Sequence, residues 1–383
     1  MAKKIRVAVL MGGNSPEHEV SIISALTIYK ALDKKKYQII PIYIAKDGSW
    51  YTHSRLLDLE TFKKLAIEKE AIEKFTKIML SPDPNVSSLL VCKNACWQEN
   101  PELKVDIFLL ATHGISVEDG SLQGLLEFAG KVYTGPGVLA AAAGFDKVLS
   151  KKVFTAYGFI QTPYVFFSKE EWQKDKSKII NMVKDNIRFP VFVKPSSSGS
   201  SIGISRVDDE QKLPFAVAVA IQFDTKIIIE QAVVGAREIN CTVIGDTHPQ
   251  TAELEEVVLK GKSFHDYENK YISGSKNKRN TVPERRIIPA KLTKEITEKI
   301  KNLAIDAFKS LDCSGIARVD FLLGKDGKIY LNEINTIPGM LSSYFWQSPN
   351  FKFTDALDKL IQIAFDRHRQ KSRLVTSISS KIF

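Results

Sequence analysis

Residues 330–340, "YLNEINTIPGM", read as a strand that runs into a turn, yet they place Glu333 and Asn335 where a buried strand would carry Val or Ile. Just upstream, Asp326 and Gly327 lie between the apolar runs "ARVDFLL" and "KIYLNEI". Asp-Gly between two such runs is a strong signal for a hairpin with a two-residue turn. The sequence therefore predicts a β-hairpin that carries an acid near the middle of its second strand.

The predicted turn also fixes which residues of the two strands lie opposite each other. A ladder extended from it gives four pairs: Lys325 with Lys328, Leu322 with Leu331, Asp320 with Glu333, and Arg318 with Asn335. The last two pairs are polar and share one face, because side chains alternate along a strand. Two opposed carboxylates destabilise a ladder, so we expect a cation between them, and their oxygens suit Mg²⁺ that also holds a nucleotide phosphate. The alternative is a surface hairpin whose acids point into water.

The overall composition predicts a globular protein with more than one domain. The chain has 383 residues, of which 44% are hydrophobic, and this is enough for two or three domains. No run of eighteen apolar residues occurs, and the opening "MAKKIRVAVLMGG" leads into "NSPEHEV" without a small-residue cleavage site. We therefore expect neither a membrane span nor a secretory signal.

The net charge and the cysteine content indicate which partners and which compartment the sequence favours. The formal net charge is +10 and the pI is near 9.2, but the lysines are spread along the chain instead of forming a stripe or tail. This argues against a nucleic-acid binder, and polyanionic small substrates or solvated lysine faces explain the balance. Four scattered cysteines predict no disulfide framework and favour a reducing cytoplasm. Cys92 and Cys96 lack a neighbouring His or Cys, so ordinary thiols are favoured over a zinc site.

The first part of the chain has a β-α-β pattern. A strand "IRVAVLM" and a glycine turn lead into a helix predicted from Ser15 to about Leu32, with Ser15 as its cap, and the strand "YQIIPIYI" follows. This pattern predicts a parallel sheet that binds ligands at the carboxyl ends of its strands. Residues 52–104 are assigned only as an insertion. Near residue 135 the turn "TGPG" precedes an alanine-rich helix predicted from Val138 to near Gly158, and this change marks a domain boundary.

A serine-rich loop, "VFVKPSSSGSSIGIS", joins two predicted strands and places Lys194 at the end of the first. Its backbone N–H groups, with no bulky side chain nearby, could hold a phosphate. A Walker loop would need Gly-Lys-Ser leading into a helix, so we expect a hairpin flap that covers the phosphates instead. The alternative is a plain surface turn.

Further acids lie at strand ends. Glu230 ends an apolar strand and Glu238 lies on the next, where they could accept hydrogen bonds from an adenine amino group and ribose hydroxyls. His113 and Glu118 follow a buried strand, at a position where open α/β sheets bind ligands. Glu17 lies in the predicted first turn of a helix, where the helix dipole stabilises a carboxylate that could hold a substrate ammonium. Each of these residues, taken alone, could equally be a solvated side chain or a cap.

The motifs occur in one order: a glycine turn, His-Gly-x-x-x-Glu-Asp-Gly, Lys-Pro with a serine-glycine flap, Gly-x-Arg-Glu, Arg-x-Asp, and Glu-x-Asn-Thr-x-Pro-Gly. In this order they resemble the D-alanine:D-alanine ligases, which have the ATP-grasp fold. The resemblance spans nearly the whole chain except residues 52–104 and the tail. It implies a mixed α/β and α+β architecture: a Rossmann-like N-terminal domain at 1–135, a central lid domain at 136–230, and a C-terminal domain at 231–383.

The resemblance also implies a reaction. ATP would lie between two α+β lobes, its γ-phosphate would activate one D-alanine as an acyl phosphate, and a second D-alanine would attack to give a peptidoglycan precursor. The implied nucleotide and metal residues are Lys147, Lys194, Ser200, Ser201 and Lys270 for phosphates, Glu230, Gln231 and Val233 for adenine, Glu238 for ribose, and Asp320, Glu333 and Asn335 for two Mg²⁺ ions, with Mn²⁺ as a substitute. The implied substrate residues are Glu17, Ser200 and Tyr271 for the first D-alanine, Arg318 and the Gly339 N–H for the oxyanion, and His113, Glu118, Ser342 and Tyr344 in the substrate loops.

Three residues depart from the family's pattern. Val117 stands where the family usually has glycine, Tyr344 stands where relatives have a serine that touches the second substrate's carboxylate, and Leu341 is also unusual. Tyr271 favours a dipeptide over an ester with D-lactate, because the relatives that use D-lactate lack it. The alternatives are an ATP-grasp ligase for another amino or hydroxy acid and a nucleotide-binding regulator without turnover. The family also implies a cytoplasmic homodimer.

Overall fold

The computed structural model describes residues 3–92, 102–258, 285–348 and 351–375. Within these ranges the chain forms three large sheets. Helices pack on each sheet, and each sheet contributes to a buried apolar cluster. Among the described residues, no helix combines the length and apolarity that a membrane crossing needs.

The N-terminal sheet begins with the predicted β-α-β unit. Its strands are β1 (Ile5–Gly12), β2 (Tyr37–Ile44), β3 (Trp50–Thr52), β4 (Thr76–Leu80), β5 (Ser88–Val91), β6 (Glu102–Lys104) and β7 (Ile107–Leu110), in the order β6-β5-β4-β3-β2-β1-β7. The sheet's segment also contains the helices α1 (His18–Ala31), α2 (Leu59–Ile67) and α3 (Ser121–Phe128). Strand β1 runs parallel to β2 and β7, so the loops after these strands meet at one edge.

The described part of residues 52–104 is an extension of the N-terminal sheet. Strands β4, β5 and β6 add to it in antiparallel order beyond β3. Each is short, and β4 buries only Ile78. A strand of that length offers too little alternation for its period to be read from the sequence.

Helix α1 begins later than predicted. Ser15 and Pro16 form a turn ahead of the helix, and the helix starts at His18 with Glu17 in the cap position. Ser15 is not the cap: its Oγ accepts the backbone N–H of Glu17 at 3.0 Å. The turn therefore uses the serine hydroxyl locally and leaves Glu17 directly at the helix start.

The alanine-rich segment forms two helices where the sequence predicted one. They are α4 (Val138–Phe145) and α5 (Lys147–Ala156), and Asp146 lies between them with an extended backbone. The Asp146 Oδ1 accepts the N–H groups of Val148 and Leu149 at 2.9 and 3.0 Å. A side chain that caps a new helix interrupts the old one, because the cap residue needs non-helical backbone angles.

The central sheet is antiparallel throughout and has its own core. Its strands are β8 (Tyr164–Ser168), β9 (Val191–Pro195), β10 (Ser205–Val207) and β11 (Lys226–Gln231), in the order β10-β9-β11-β8. The helices α6 (Lys169–Lys174), α7 (Lys176–Asn186) and α8 (Leu213–Ala220) belong to the same segment. The serine-rich loop joins β9 to β10.

The C-terminal sheet carries the hairpin from which the sequence analysis began. Its strands are β12 (Arg237–Gly245), β13 (Gln250–Thr251), β14 (Glu255–Val258), β15 (Arg285–Ile287), β16 (Gly315–Leu323) and β17 (Ile329–Asn335), in the order β15-β14-β12-β16-β17 with β13 beside β12. The helices α9 (Lys294–Ser310) and α10 (Phe353–Lys371) pack on it, and β18 (Gln347–Ser348) pairs with β19 (Phe351–Lys352). Helices α4 and α5 also contact this sheet, so the division at residues 135 and 230 stays a prediction.

The hairpin confirms the two polar pairs of the predicted register. Asp320 lies opposite Glu333, and Arg318 lies opposite Asn335. The four side chains therefore come from alternate positions on two neighbouring strands.

Nearer the turn the predicted register is wrong by one residue. Leu322 pairs with Tyr330 instead of Leu331, and the Gly324 N–H donates to the Lys328 carbonyl at 2.9 Å. The loop thus has three residues, 325–327, with Gly327 at a φ of 77°. A three-residue loop with a left-handed glycine is the next most common hairpin turn. A β-bulge between Leu331 and Glu333 then shifts the register back.

Candidate active site

Arg318 and Asp320 form a two-pronged ion pair on the polar face of the hairpin. The Arg318 Nε and Nη2 donate to the two carboxylate oxygens of Asp320, each at 2.7 Å. The Asn335 Nδ2 donates to one of the same oxygens at 3.0 Å. Burial raises the pKa of Asp320 and the nearby Glu333 charge adds to this, although Arg318 partly offsets both. An additional cation at this face would stabilise the ionised form of Asp320.

Glu333 faces a group of lysines. Burial alone would raise its pKa, but the charges of Lys147, Lys194 and Arg318 outweigh burial and lower it. Glu333 is therefore ionised at neutral pH. Within the described ranges, no group of three or more His, Cys, Asp and Glu side chains has a metal-binding arrangement. The hairpin offers two carboxylates and an amide, and this donor set fits Mg²⁺ because that ion completes its shell with water and phosphate.

Glu230 is held between two lysines at the end of β11. The Lys194 Nζ lies 2.9 Å from its Oε2, and the Lys151 Nζ lies 3.6 Å from its Oε1. Burial opposes ionisation, but the two lysine charges lower the pKa of Glu230 to about 2. The sequence analysis did not identify Lys151. Its signal was the spacing of four from Lys147, which places both lysines on one face of α5.

The serine-rich loop reaches across to the N-terminal sheet. Ser200 and Ser201 have left-handed backbone angles, with φ of 50° and 57°. The Ser200 hydroxyl donates to the Glu17 Oε1, and a Cβ on Gly199 would collide with the same carboxylate. The Lys147 Nζ donates to the Ser198 carbonyl at 2.5 Å. The loop thus covers the Glu17 carboxylate as a flap, and Lys147 holds the loop through its hydrogen bond to the Ser198 carbonyl.

Glu17 has a second buried carboxyl as its neighbour. Burial raises the pKa of Glu17, and the Ser200 hydroxyl and Lys147 only partly offset this. Burial and the Glu17 charge together raise the pKa of Glu118 to about 8. The Gly114 N–H donates to the Glu118 Oε2 at 3.0 Å. Glu118 is therefore largely protonated at neutral pH beside a carboxylate that needs a cation.

His113 connects the first loops of the N-terminal sheet to the segment after the hairpin. Its backbone N–H donates to the Ser21 Oγ at 2.8 Å, and its Nε2 lies 2.8 Å from the Ser24 Oγ. The Met340 N–H donates to that same Ser24 oxygen at 2.9 Å. Burial lowers the pKa of His113 to about 4, so the ring is neutral at physiological pH. This network fixes the position of Gly339, one residue before Met340.

Three consecutive residues after Gly339 have left-handed backbone angles. The φ angles of Met340, Leu341 and Ser342 are 52°, 47° and 53°. Each costs a non-glycine residue roughly 1–2 kcal/mol. Ser342 is fully buried, and its hydroxyl has no hydrogen-bond partner among the described residues. A strained turn with an unsatisfied hydroxyl is typical of a ligand-binding segment.

Two of the three departures from the family's pattern have a clear structural setting. Val117 is buried and packs against Gly13: a Cβ added to Gly13 would lie 3.0 Å from a methyl group of Val117. The Tyr344 ring lies 3.9 Å from the guanidinium of Arg286, which in turn donates to the Glu255 Oε1 at 2.8 Å. Tyr344 therefore stacks on a cation next to the cleft.

Glu238, Gln231 and Val233 are further described residues that the resemblance implies for the nucleotide. Burial and the Asp320 charge raise the pKa of Glu238 to about 7. The Gln231 side chain accepts the Arg188 N–H at 3.0 Å, and the Gln231 N–H donates to the Pro163 carbonyl at 2.9 Å. The carbonyl of Val233 accepts the Ala236 N–H. Two residues predicted from the resemblance, Lys270 and Tyr271, lie outside the described residues.

Two family models match this chain. Residues 6–136 match the family described as "D-ala D-ala ligase N-terminus", and residues 153–362 match "D-ala D-ala ligase C-terminus". The chain belongs to the D-alanine–D-alanine ligase family. The two matches together cover most of the chain and include Glu17, Glu230, Asp320 and Glu333.

Relatives in the D-alanine–D-alanine ligase family match over nearly their full length. The D-alanine–D-alanine ligase of Geobacillus thermodenitrificans is 40% identical over 376 residues, covering 97% of this chain and 98% of the relative. That of Thermosipho africanus is 39% identical over 379 residues, covering 99% and 98%. The matches thus include residues 52–104, where the resemblance by motif was weak.

Solved structures confirm the ATP-grasp fold. The D-alanine-D-alanine ligase from Coxiella burnetii aligns with a TM-score of 0.79 at 29% identity, over 97% of each chain. The VanG D-Ala:D-Ser ligase from Enterococcus faecalis aligns with a TM-score of 0.78 at 29% identity, over 94% of this chain and all of that one. The family and fold predicted from the motif order are therefore both confirmed.

Proposed function

We propose that this D-alanine–D-alanine ligase family member joins two D-alanines into D-alanyl-D-alanine, a peptidoglycan precursor, with hydrolysis of ATP to ADP. The observation that carries the proposal is the contact of the flap with Glu17. The buried Glu17 carboxylate is covered by the serine flap and lies close to Lys147 and Glu333, which supports an amino-acid site beside a phosphate site. That adjacency is what the transfer of a phosphoryl group to an amino acid requires.

The lysines and the hairpin acids would hold the nucleotide. Lys147 and Lys194 would bind phosphates, with Ser200 and Ser201 covering them. Asp320, Glu333 and Asn335 would hold two Mg²⁺ ions, for which Mn²⁺ could substitute. Bound Mg²⁺ neutralises charge on the transferred phosphoryl group. Adenine and ribose would contact the segment from Glu230 to Glu238, as the resemblance implies.

Glu17 would bind the ammonium of the first D-alanine. Burial raises the pKa of Glu17, and Lys147 and the Ser200 hydroxyl offset this only in part, so an arriving ammonium would stabilise the charged carboxylate further. Ser200 would fix the carboxylate's orientation, and Tyr271 would support the same substrate. The neighbouring Glu118 is largely protonated and does not compete for the ammonium. His113 would position the loops around them.

Arg318 and the Gly339 N–H would stabilise the oxyanion that forms when the second amine attacks. Arg318 keeps its proton, because Asp320 outweighs the effect of burial and raises its pKa well above the ordinary value. Losing one such donor typically raises the barrier by about 3 kcal/mol. The ion pair with Asp320 holds the Arg318 guanidinium on the hairpin, so one hairpin would supply both metal ligands and an oxyanion donor.

The second substrate is the less constrained part of the proposal. Ser342 and Tyr344 lie in the segment expected to hold its carboxylate, and Tyr344 stacks on Arg286. The structurally similar VanG protein is a D-Ala:D-Ser ligase, so the alternative is a ligase that joins D-alanine to another amino or hydroxy acid. We also propose that the enzyme is a cytoplasmic homodimer, by analogy with its family.

The test is a product assay with the purified full chain. With ATP, Mg²⁺ and D-alanine we expect phosphate release and D-alanyl-D-alanine, identified by mass spectrometry. In a mixture of D-alanine with D-serine or D-lactate at neutral pH, the D-alanine dipeptide should dominate. A dominant mixed dipeptide or ester would select the alternative specificity. Phosphate release independent of any amino acid would remove the ligase proposal altogether.

A further inference from the structure

Lys151 is a buried cation for which the proposed function gives no task. Its side chain is only 1% exposed. Its Nζ lies 5.4 Å from the centroid of the Tyr164 ring and has no hydrogen-bond partner among the described residues. Its nearest carboxylate oxygen, on Glu230, is 3.6 Å away. Burying an ammonium in this way is costly, so a chain that keeps one there gains something from its charge.

The setting of Glu230 shows what that charge can do. On β11, Glu230 lies opposite Tyr164 of β8 on one side and Phe192 of β9 on the other. Lys194 stands two residues further along β9 and binds the second carboxylate oxygen at 2.9 Å. Two ammonium groups thus share the Glu230 carboxylate, and the charge of Glu333 acts on both lysines as well.

The two lysines differ in their access to the cleft. The Lys194 side chain is 10% exposed, against 1% for Lys151. Lys194 also ends the strand that leads into the flap, on the side where phosphates are expected. If a phosphate draws Lys194 away, Glu230 needs another counter-ion, because an unpaired buried carboxylate is strongly unfavourable.

We propose that Lys151 is a positioning residue for nucleotide binding, the permanent counter-ion of Glu230 that frees Lys194 to bind a phosphate. It acts through Glu230 and does not itself touch the nucleotide. The inference rests on the proposed function for the location of the phosphates. Without Lys151, Lys194 would be the one ion-pair partner left to Glu230 among the described residues, and a nucleotide would have to break that pair to recruit Lys194.

The experiment measures the binding of ADP with Mg²⁺ to the full chain by titration calorimetry. Lys151→Met keeps the length of the side chain and removes its charge, and we expect ADP binding to weaken about 10- to 100-fold. Lys152→Met is the matched control, since Lys152 is the exposed neighbour on the same helix, and it should bind ADP like the wild type. In turnover, the KM for ATP should rise in Lys151→Met while the KM for D-alanine stays unchanged.

A second substitution separates this role from a structural one. Glu230→Gln should weaken ADP binding in the wild type, where it removes an adenine contact. In the Lys151→Met background it should strengthen binding, because it releases Lys194. Unchanged ADP binding in Lys151→Met, or a loss that simply adds to that of Glu230→Gln, would overturn the proposal.

The outcome stays decidable if Lys151→Met fails to fold. The double variant Lys151→Met/Glu230→Gln removes both buried charges together, and it should bind ADP at least as tightly as Glu230→Gln alone. Weaker binding by the double variant would overturn the proposal. ADP binding needs no amino acid, so Lys151-dependent binding without dipeptide synthesis would count against the proposed function and leave this inference standing.

Discussion

Glutamates of the same kind carry different charges in this cleft, because their neighbours differ. Glu230 lies between two lysines, which lower its pKa to about 2. Glu118 is buried beside another carboxylate, and its pKa rises to about 8. Glu230 is therefore ionised at neutral pH, whereas Glu118 holds its proton more strongly than an ordinary glutamate does. The sequence marks both positions, but their charges depend on contacts between residues more than 100 positions apart for Glu118 and Glu17.

At the residue scale, Asp320→Asn should lower ligase turnover by a factor on the order of a hundred or more. The amide keeps the side chain's shape but loses the charge that a divalent cation needs. The measurement is ATP-dependent phosphate release, with circular dichroism to show that the fold is kept. Asp326→Asn, in the exposed hairpin turn, is the control and should keep full activity. Near-normal turnover of Asp320→Asn would count heavily against the proposed metal face.

His113 should make the protein less stable as the pH falls. Its pKa in the folded chain is about 4, below its ordinary value of 6.5, so the unfolded chain binds the proton first. The free energy of unfolding should therefore drop between pH 7 and pH 5, by about 2 kcal/mol from this residue. The substitution His113→Gln removes the titrating imidazole.

The measurement for His113 is denaturant unfolding at pH 7 and pH 5. Wild type should lose about 2 kcal/mol more than His113→Gln over this interval. His248→Gln, at an exposed position, is the control and should keep the wild-type pH dependence. Equal pH dependence in wild type and His113→Gln would show that the buried ring does not titrate as inferred.

Two local irregularities cancel within the hairpin. The three-residue loop at 325–327 shifts the ladder by one position, and the bulge after Leu331 shifts it back. The pairs that matter, Asp320 with Glu333 and Arg318 with Asn335, are therefore those that a two-residue turn predicts. Alternation along a strand can be read from the sequence, but a bulge leaves no comparable pattern, so the polar face was predictable and the turn was not.

At the element scale, the flap should depend on the small size of Gly199. A Cβ there would collide with the Glu17 carboxylate, so Gly199→Ala should displace the flap from the first substrate. We expect the KM for D-alanine to rise about tenfold or more, because small displacements at a reacting centre are costly. Steady-state kinetics in D-alanine measure this.

The control for the flap is Gly124→Ala in α3. A Cβ at Gly124 meets no atom within 4 Å, so this variant should keep the wild-type KM. If Gly199→Ala also keeps it, the flap does not need its close approach to Glu17 for substrate binding.

Over the whole molecule, the sequence predicted the order of motifs better than their packing. The β-α-β opening, the flap and the hairpin are each local patterns and occur where expected. The extension of the N-terminal sheet by β4, β5 and β6 was not predictable, because short edge strands carry little alternation. Helices α4 and α5 were read as one, since the cap at Asp146 competes with a strongly helical run of alanines.

The distribution of buried apolar residues bears on how the enzyme admits its substrates. Ile316 and Ile337 of the C-terminal part share one cluster with the N-terminal sheet, and α10 supplies Leu357 and Leu360 to it. The apolar cluster of the central sheet is drawn from residues 165–229. The N-terminal and C-terminal sheets thus share one buried apolar cluster, whereas the central sheet has an apolar cluster of its own. We therefore expect the active site to open by movement of the central sheet away from the other two, which would break the contact between the Ser200 hydroxyl and the Glu17 carboxylate.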